Sequence, residues 1–174
     1  MECRTAGTSS LSLSVLGFGT WQFGSAGADD YWGLEFTDEL ALALTKQATD
    51  AGITYFDTAE DYAKGGSETQ LGKAIKALEE PTRAKVVVGS KILPNHCNDV
   101  RSHCAATLAR LGVECIDLYM VHWPIDPNSM AHFAGGHTAS GGRVCRSGQI
   151  EPSIRCAHSR IRASWDRTTR RPAR

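Results

Sequence analysis

Residues 53–57, Ile53-Thr54-Tyr55-Phe56-Asp57, form a short apolar run that ends in a carboxylate. Two later stretches have the same form. Val86-Val87-Val88-Gly89-Ser90-Lys91 ends in an ammonium, and Ile116-Asp117-Leu118-Tyr119-Met120-Val121-His122 ends in an imidazole. β-Branched and aromatic residues dominate all three, so each reads as a strand. From Asp57 to Lys91 is 34 positions, and from Lys91 to His122 is 31. That is the length of one strand–helix unit, so one polar residue recurs per unit at the same strand end. A buried parallel strand is expected to be apolar on both faces. An Asp, a Lys and a His ending three such strands are costly unless they meet one another or a ligand. Tyr62 lies five residues beyond Asp57, in the loop over the strand ends, where its hydroxyl can join them.

The segments between these strands carry helical periodicity. Thr37 is placed to cap a helix that runs to about Ala51 and buries Leu40, Ala43, Leu44 and Ala48, with Gly52 stopping it. A second helix is expected near Ser67–Leu78, with Leu71, Ile75 and Leu78 on one face. A third is expected near Asp99–Leu111, with Val100, Cys104, Thr107 or Leu108, and Leu111 inward. Upstream, residues 3–14 read as a polar hairpin turning at Gly7-Thr8-Ser9-Ser10, and Val15–Thr20 as a first buried strand. A polar loop from Trp21 to Phe36 follows it. Alternating strands and helices imply an α/β fold with a parallel sheet and right-handed crossovers. In a parallel barrel of this type the strand C-termini share one face, and the active site forms there.

The chain has 174 residues, whereas a closed eight-stranded barrel typically needs about 250. Its net charge of zero hides an asymmetry: residues 1–142 hold 17 acids and 10 bases, and residues 143–174 hold nine arginines against Glu151 and Asp166. Periodicity ends after Ile125, so residues 131–174 are expected to form a disordered, Arg-rich tail beside a domain over residues 1–130. Six cysteines form no Cys-x-x-Cys pair. With no apolar leader and no apolar run of about 20 residues, the chain is expected to be cytoplasmic, reduced and away from membranes. No metal site is expected. His96-Cys97 and His103-Cys104 match no finger spacing, and Cys104 falls on a helix's apolar face. Gly17-x-Gly19 lacks the third glycine of a dinucleotide turn, since position 22 is Gln.

The four polar residues suit reduction of a carbonyl by hydride. The oxygen develops negative charge and must receive a proton, which Tyr62 can give. A neighbouring ammonium favours a phenolate, and Lys91 is the candidate. Asp57 would hold the lysine charged and oriented, and His122 would donate a hydrogen bond to the carbonyl oxygen. The hydride has to come from a cofactor, because no side chain supplies one.

These residues carry a resemblance. Leu16-Gly17-Phe18-Gly19-Thr20-Trp21, Phe56-Asp57-Thr58-Ala59-Glu60-Asp61-Tyr62, Gly66-Ser67-Glu68, Gly89-Ser90-Lys91 and Asp117–Pro124 together resemble the first half of an aldo-keto reductase, over roughly residues 3–130. The resemblance implies the first half of a (β/α)8 TIM barrel and NADPH-dependent reduction of aldehydes or ketones. It implies Asp57, Tyr62, Lys91 and His122 as the catalytic set, and Gly19, Thr20, Trp21 and Asp57 as the nicotinamide-side contacts. The family's other NADP(H) contacts have no counterpart after residue 130, so most of that cofactor site is expected to be missing and activity impaired. The segment from Arg143 resembles translation in a shifted frame or an alternative 3′ exon. Two other functions compete. One is a non-catalytic half-barrel that associates through its open sheet edges. The other is a basic-tailed binder of nucleic acid or acidic surfaces, with no specific nucleic-acid recognition expected.

Overall fold

The computed structural model describes residues 1–24 and 36–127. Strands β1 (Cys3–Thr5) and β2 (Ser12–Ser14) form an antiparallel hairpin. Four parallel strands follow in the order β3 (Gly17–Gly19), β4 (Tyr55–Asp57), β5 (Val87–Ile92) and β6 (Leu118–Val121). Helices α1 (Asp38–Asp50), α2 (Gly66–Lys76) and α3 (Val100–Leu111) connect them. This is the expected alternation, with every neighbouring pair of the four-stranded sheet parallel. The expected tail lies outside the described residues, as does most of the loop between Trp21 and Phe36.

The helix boundaries follow local chemistry. The Thr37 hydroxyl accepts the Leu40 N–H at the start of α1, and the Asp99 carboxylate accepts the Ser102 N–H at the start of α3. In α2, Leu71 and Ile75 are buried, and Leu78 is buried just beyond the helix. In α1 the inward face differs from the periodicity reading. Ala41, Thr45 and Ala48 are buried, Leu44 is partly buried, Ala43 is exposed and Leu40 is 40% exposed. The buried stripe at i, i+4 and i+7 is Ala41, Thr45 and Ala48.

The first barrel strand also starts later than expected. Val15 and Leu16 are 43% and 57% exposed rather than buried. The Ser14 hydroxyl donates to the Leu16 carbonyl at 2.6 Å, closing a turn that carries both residues off the sheet before Gly17.

Strand alternation separates two faces. Phe56, Val88, Ser90 and Ile92 face the helices, where Phe23, Leu71, Ile75, Cys104, Leu111 and Ile116 complete the core. The opposite face carries Gly17, Gly19, Tyr55, Asp57, Gly89 and Lys91. Tyr55 lies along it between two glycines. A Cβ at Gly17 would stand 2.8 Å from Tyr55 Cδ1, and one at Gly89 would stand 2.6 Å from its hydroxyl oxygen. The ring occupies the volume those side chains would take.

Gly89→Ala is therefore expected to lower stability by about 1–3 kcal/mol, the usual cost of overpacking. The loss should shrink when Tyr55→Ala removes the ring, and a double-mutant cycle in urea unfolding measures that coupling.

Candidate active site

Each strand of the sheet hands its exit to a neighbour. The Thr20 N–H donates to Asp57 O, Thr58 N–H to Gly89 O, Glu60 N–H to Lys91 O and His122 N–H to Ile92 O, at 2.9, 2.9, 3.2 and 2.9 Å. These bonds continue the parallel ladders past the strands and fix the direction in which Asp57, Lys91 and His122 leave them.

The Lys91 ammonium stands at the centre. It donates to Asp57 Oδ2 at 2.7 Å, to the Thr58 carbonyl at 2.8 Å and to the Tyr62 hydroxyl at 3.3 Å. Its side chain is 14% exposed. Tyr62 reaches inward because the chain reverses just after it: Ala63 and Lys64 both take left-handed backbone angles, φ 48° and 52°. Non-glycine residues occupy that region at a cost, and such residues concentrate at functional sites. The His122 ring meets the Tyr62 ring edge-on, with centroids 5.3 Å apart, and Trp123 stacks on His122 at 5.7 Å. Burial, and then the Lys91 charge, hold the His122 imidazole below its ordinary pKa, so it is neutral near pH 7. All four residues singled out by spacing thus come together, with the lysine between the aspartate and the tyrosine.

Tyr55 is a member that the sequence reading missed. Its hydroxyl donates to Asp57 Oδ1 at 3.1 Å, on the oxygen that Lys91 leaves free. Burial, and then the Asp57 charge, raise its pKa well above the ordinary phenol value, so it remains a donor. The available signal was its position two residues before Asp57, on the same strand face, with glycines in both neighbouring strands.

Of the residues expected on the nicotinamide side, Gly19 borders open space and Trp21 is exposed. A Cβ at Gly19 would meet nothing within 4 Å, and Trp21 is 48% exposed. Thr20 departs from its expected role. It is fully buried, and its hydroxyl bonds the Asp57 carbonyl and the Ser67 hydroxyl. Its carbonyl accepts from Ser67 at 2.6 Å and from the Phe23 N–H. Every polar group of Thr20 is committed to holding the end of β3 to β4 and α2, which leaves none for a ligand. Glu68 is likewise enclosed, and bonds the Ser90 hydroxyl and the Arg110 guanidinium at 2.5 Å each. It ties α2 and α3 to the residue preceding Lys91.

The family model for the aldo/keto reductase family matches residues 15–145. The chain belongs to this family. It is 33% identical over 141 residues to the NADH-specific methylglyoxal reductase of Escherichia coli, covering 70% of this chain and 41% of that protein. It is 37% identical over 138 residues to the aldo-keto reductase YhdN of Bacillus subtilis, covering 73% and 39%. The structure of an aldo-keto reductase from Klebsiella pneumoniae in complex with NADPH superposes with a TM-score of 0.55 at 30% identity, over 71% of this chain and 42% of that one. The chain thus spans about two fifths of the length of these family members. Among the described residues, no helix is long and apolar enough to cross a membrane.

Two outcomes test this arrangement. Because the His122 pKa is depressed by folding, the unfolded chain takes up the proton first. The contribution of His122 to stability is complete above the unfolded value near 6.5 and falls away as pH drops through the lower folded value. Urea unfolding between pH 8 and pH 5 should show a smaller decline in His122→Gln than in the wild type. Arg110→Ala should leave the Glu68 carboxylate buried without its charge partner. The expected loss is about 3 kcal/mol, the low end of the range for an orphaned buried charge, because Arg110 itself is partly open to water. Chemical unfolding measures it.

Proposed function

We propose that this chain carries the proton-donating half of an NADPH-dependent carbonyl reductase site. The observation that supports the reading is the Lys91 ammonium, which reaches both the Asp57 carboxylate and the Tyr62 hydroxyl at 2.7 and 3.3 Å. In this reading Tyr62 protonates the oxygen of an aldehyde or ketone as negative charge builds on it. Lys91, at 3.3 Å, stabilises the phenolate left behind. Asp57, held by Lys91 and Tyr55, keeps the ammonium aimed. The neutral His122 ring, against the edge of Tyr62, directs the carbonyl by a hydrogen bond from its single N–H. Bound nicotinamide supplies the hydride. Gly19, Trp21 and Asp57 would flank it, since the open space over Gly19 adjoins Asp57 across the sheet. Methylglyoxal is the first substrate to try, because two Escherichia coli relatives are methylglyoxal reductases.

The 174-residue chain is expected to bind NADPH weakly and to turn over slowly. Holding two reactants in attack geometry can lower a barrier by about 7–11 kcal/mol, and the described residues offer only one flank for the nicotinamide. The test is titration with NADPH and NADH by fluorescence, followed by rates with methylglyoxal and 4-nitrobenzaldehyde. Any turnover should fall by about 10²–10⁴-fold in Tyr62→Phe, the usual worth of a positioned proton donor. Turnover that survives both Tyr62→Phe and Lys91→Met would overturn the assignment.

A second reading rests on the sheet margins. Among the described residues, β3 and β6 each have a strand on one side only, and Leu16, Trp123 and Ile125 are exposed next to them. Such edges favour pairing with another chain. Sedimentation of the purified chain as a monomer at all concentrations would count against association.

A further inference from the structure

Glu60, His96 and His103 lie outside the proton-donating set, and no step above uses them. Glu60 leaves the end of β4, His96 sits in the turn Pro94–Asp99 after β5, and His103 projects from α3. The Glu60 carboxylate is 7% exposed. Its Oε1 lies 2.8 Å from His96 Nδ1 and its Oε2 lies 2.7 Å from His103 Nδ1. Oε1 also accepts the Leu93 N–H at 2.8 Å. The two imidazole rings stack at 4.1 Å, inclined by 21°. One ligand atom from each of the three residues lies within 4.8 Å of the others. The sequence reading set these histidines aside with the cysteines that follow them. The fold gives them a carboxylate partner instead.

We propose that Glu60, His96 and His103 bind a divalent transition cation of the zinc class. The site would act as a structural clasp between the β4–α2 connection, the turn after β5, and α3. Two imidazole nitrogens and one carboxylate oxygen are a donor set for zinc, copper or nickel rather than for magnesium or calcium. The carboxylate is ready to bind. Burial pushes Glu60 upward, but the Leu93 N–H and the two imidazoles more than offset it and leave its pKa below the ordinary value. A neutral imidazole can free its Nδ1 lone pair by carrying its proton on the other ring nitrogen. Zinc–ligand distances of about 2.0–2.1 Å place tetrahedral donors roughly 3.3 Å apart, so the carboxylate–imidazole pairs at 2.8 and 2.7 Å must open slightly to admit the ion, while the widest spacing, within 4.8 Å, closes. The histidines have room to do so, since their side chains are 34% and 30% exposed, and the same opening admits water as the remaining ligand.

The test begins with chelator-stripped chain titrated with zinc chloride by calorimetry, then with cobalt(II) by visible absorption. Expected are one zinc per chain and cobalt bands of a tetrahedral nitrogen–oxygen site without sulfur charge transfer. His96→Gln and His103→Gln should each weaken binding by more than the roughly 10–100-fold that losing an outer-shell partner costs. Zinc should raise the Tm of the wild type and not of the double variant, with circular dichroism showing that the variants fold. If either variant fails to fold, electron spin-echo spectra of the copper(II)-loaded wild type replace it, and two coupled imidazoles are expected. Binding that survives both substitutions, sulfur charge transfer, or fewer than two imidazoles on copper would overturn the site. So would the absence of zinc uptake, which would leave Glu60 as a hydrogen-bonded knot alone.

Discussion

An ammonium on the inner face of a parallel sheet is the constraint around which the rest of this structure is arranged. Lys91 has three N–H bonds to give and finds three acceptors, one at the end of β4 and two just beyond it: the Asp57 carboxylate, the Thr58 carbonyl and the Tyr62 hydroxyl. An enclosed charge without partners costs several kcal/mol, so the chain beyond β4 cannot relax away from the lysine without that cost. The bond that neutralises the ammonium is the one to Asp57. The bond to Tyr62 is longer and joins a neutral hydroxyl.

The sheet hosts this group only because it is nearly bare beside it. Gly17, Gly19 and Gly89 place no side chains on the inner face, and Tyr55 fills the space between the first and last of them. Its ring supports Asp57 from below and its hydroxyl occupies the second carboxylate oxygen. Asp57 is thereby fixed at both oxygens, and a fully bonded carboxylate resists rotation better than one held at a single point. Small residues in strands usually weaken them. Here the loss of side-chain packing is the condition for a polar set to be assembled.

The strand-end residues were legible because their logic is one-dimensional. Asp57, Lys91 and His122 follow apolar runs at the spacing of a strand–helix unit, and a parallel sheet then brings them together. Tyr62 was legible as a loop residue, although the reversal that aims it begins at two non-glycine residues, Ala63 and Lys64, before it reaches Gly65. What the sequence hid depends on register. Thr20 reads as a residue at the mouth of the site, yet its hydroxyl turns inward to Ser67, which lies 47 positions away. The α1 face was misplaced because small and large residues offered two stripes of the same period. The convergence of His96 and His103 on Glu60 could not be read at all, since it joins three separate connections.

The stretch from Thr58 to Glu68 links these features. Its backbone is bonded to β5 at Thr58 and Glu60, its Ser67 is knotted to Thr20 and Thr58, and its Glu68 holds Ser90 and Arg110. Glu60 faces the histidine pair while its own N–H holds the Lys91 carbonyl, so the two clusters share one residue's backbone. Among the described residues, the bonds that position Asp57, Tyr55, Tyr62 and Lys91 are made within residues 14–122. The proton-donating groups are thus organised by contacts local to these four strands and three helices. A chain built in this way can hold a well-formed set of tyrosine, ammonium and carboxylate whatever binds beside it. The presence of that set therefore speaks to how the site is built and leaves its rate to the geometry of what binds beside it.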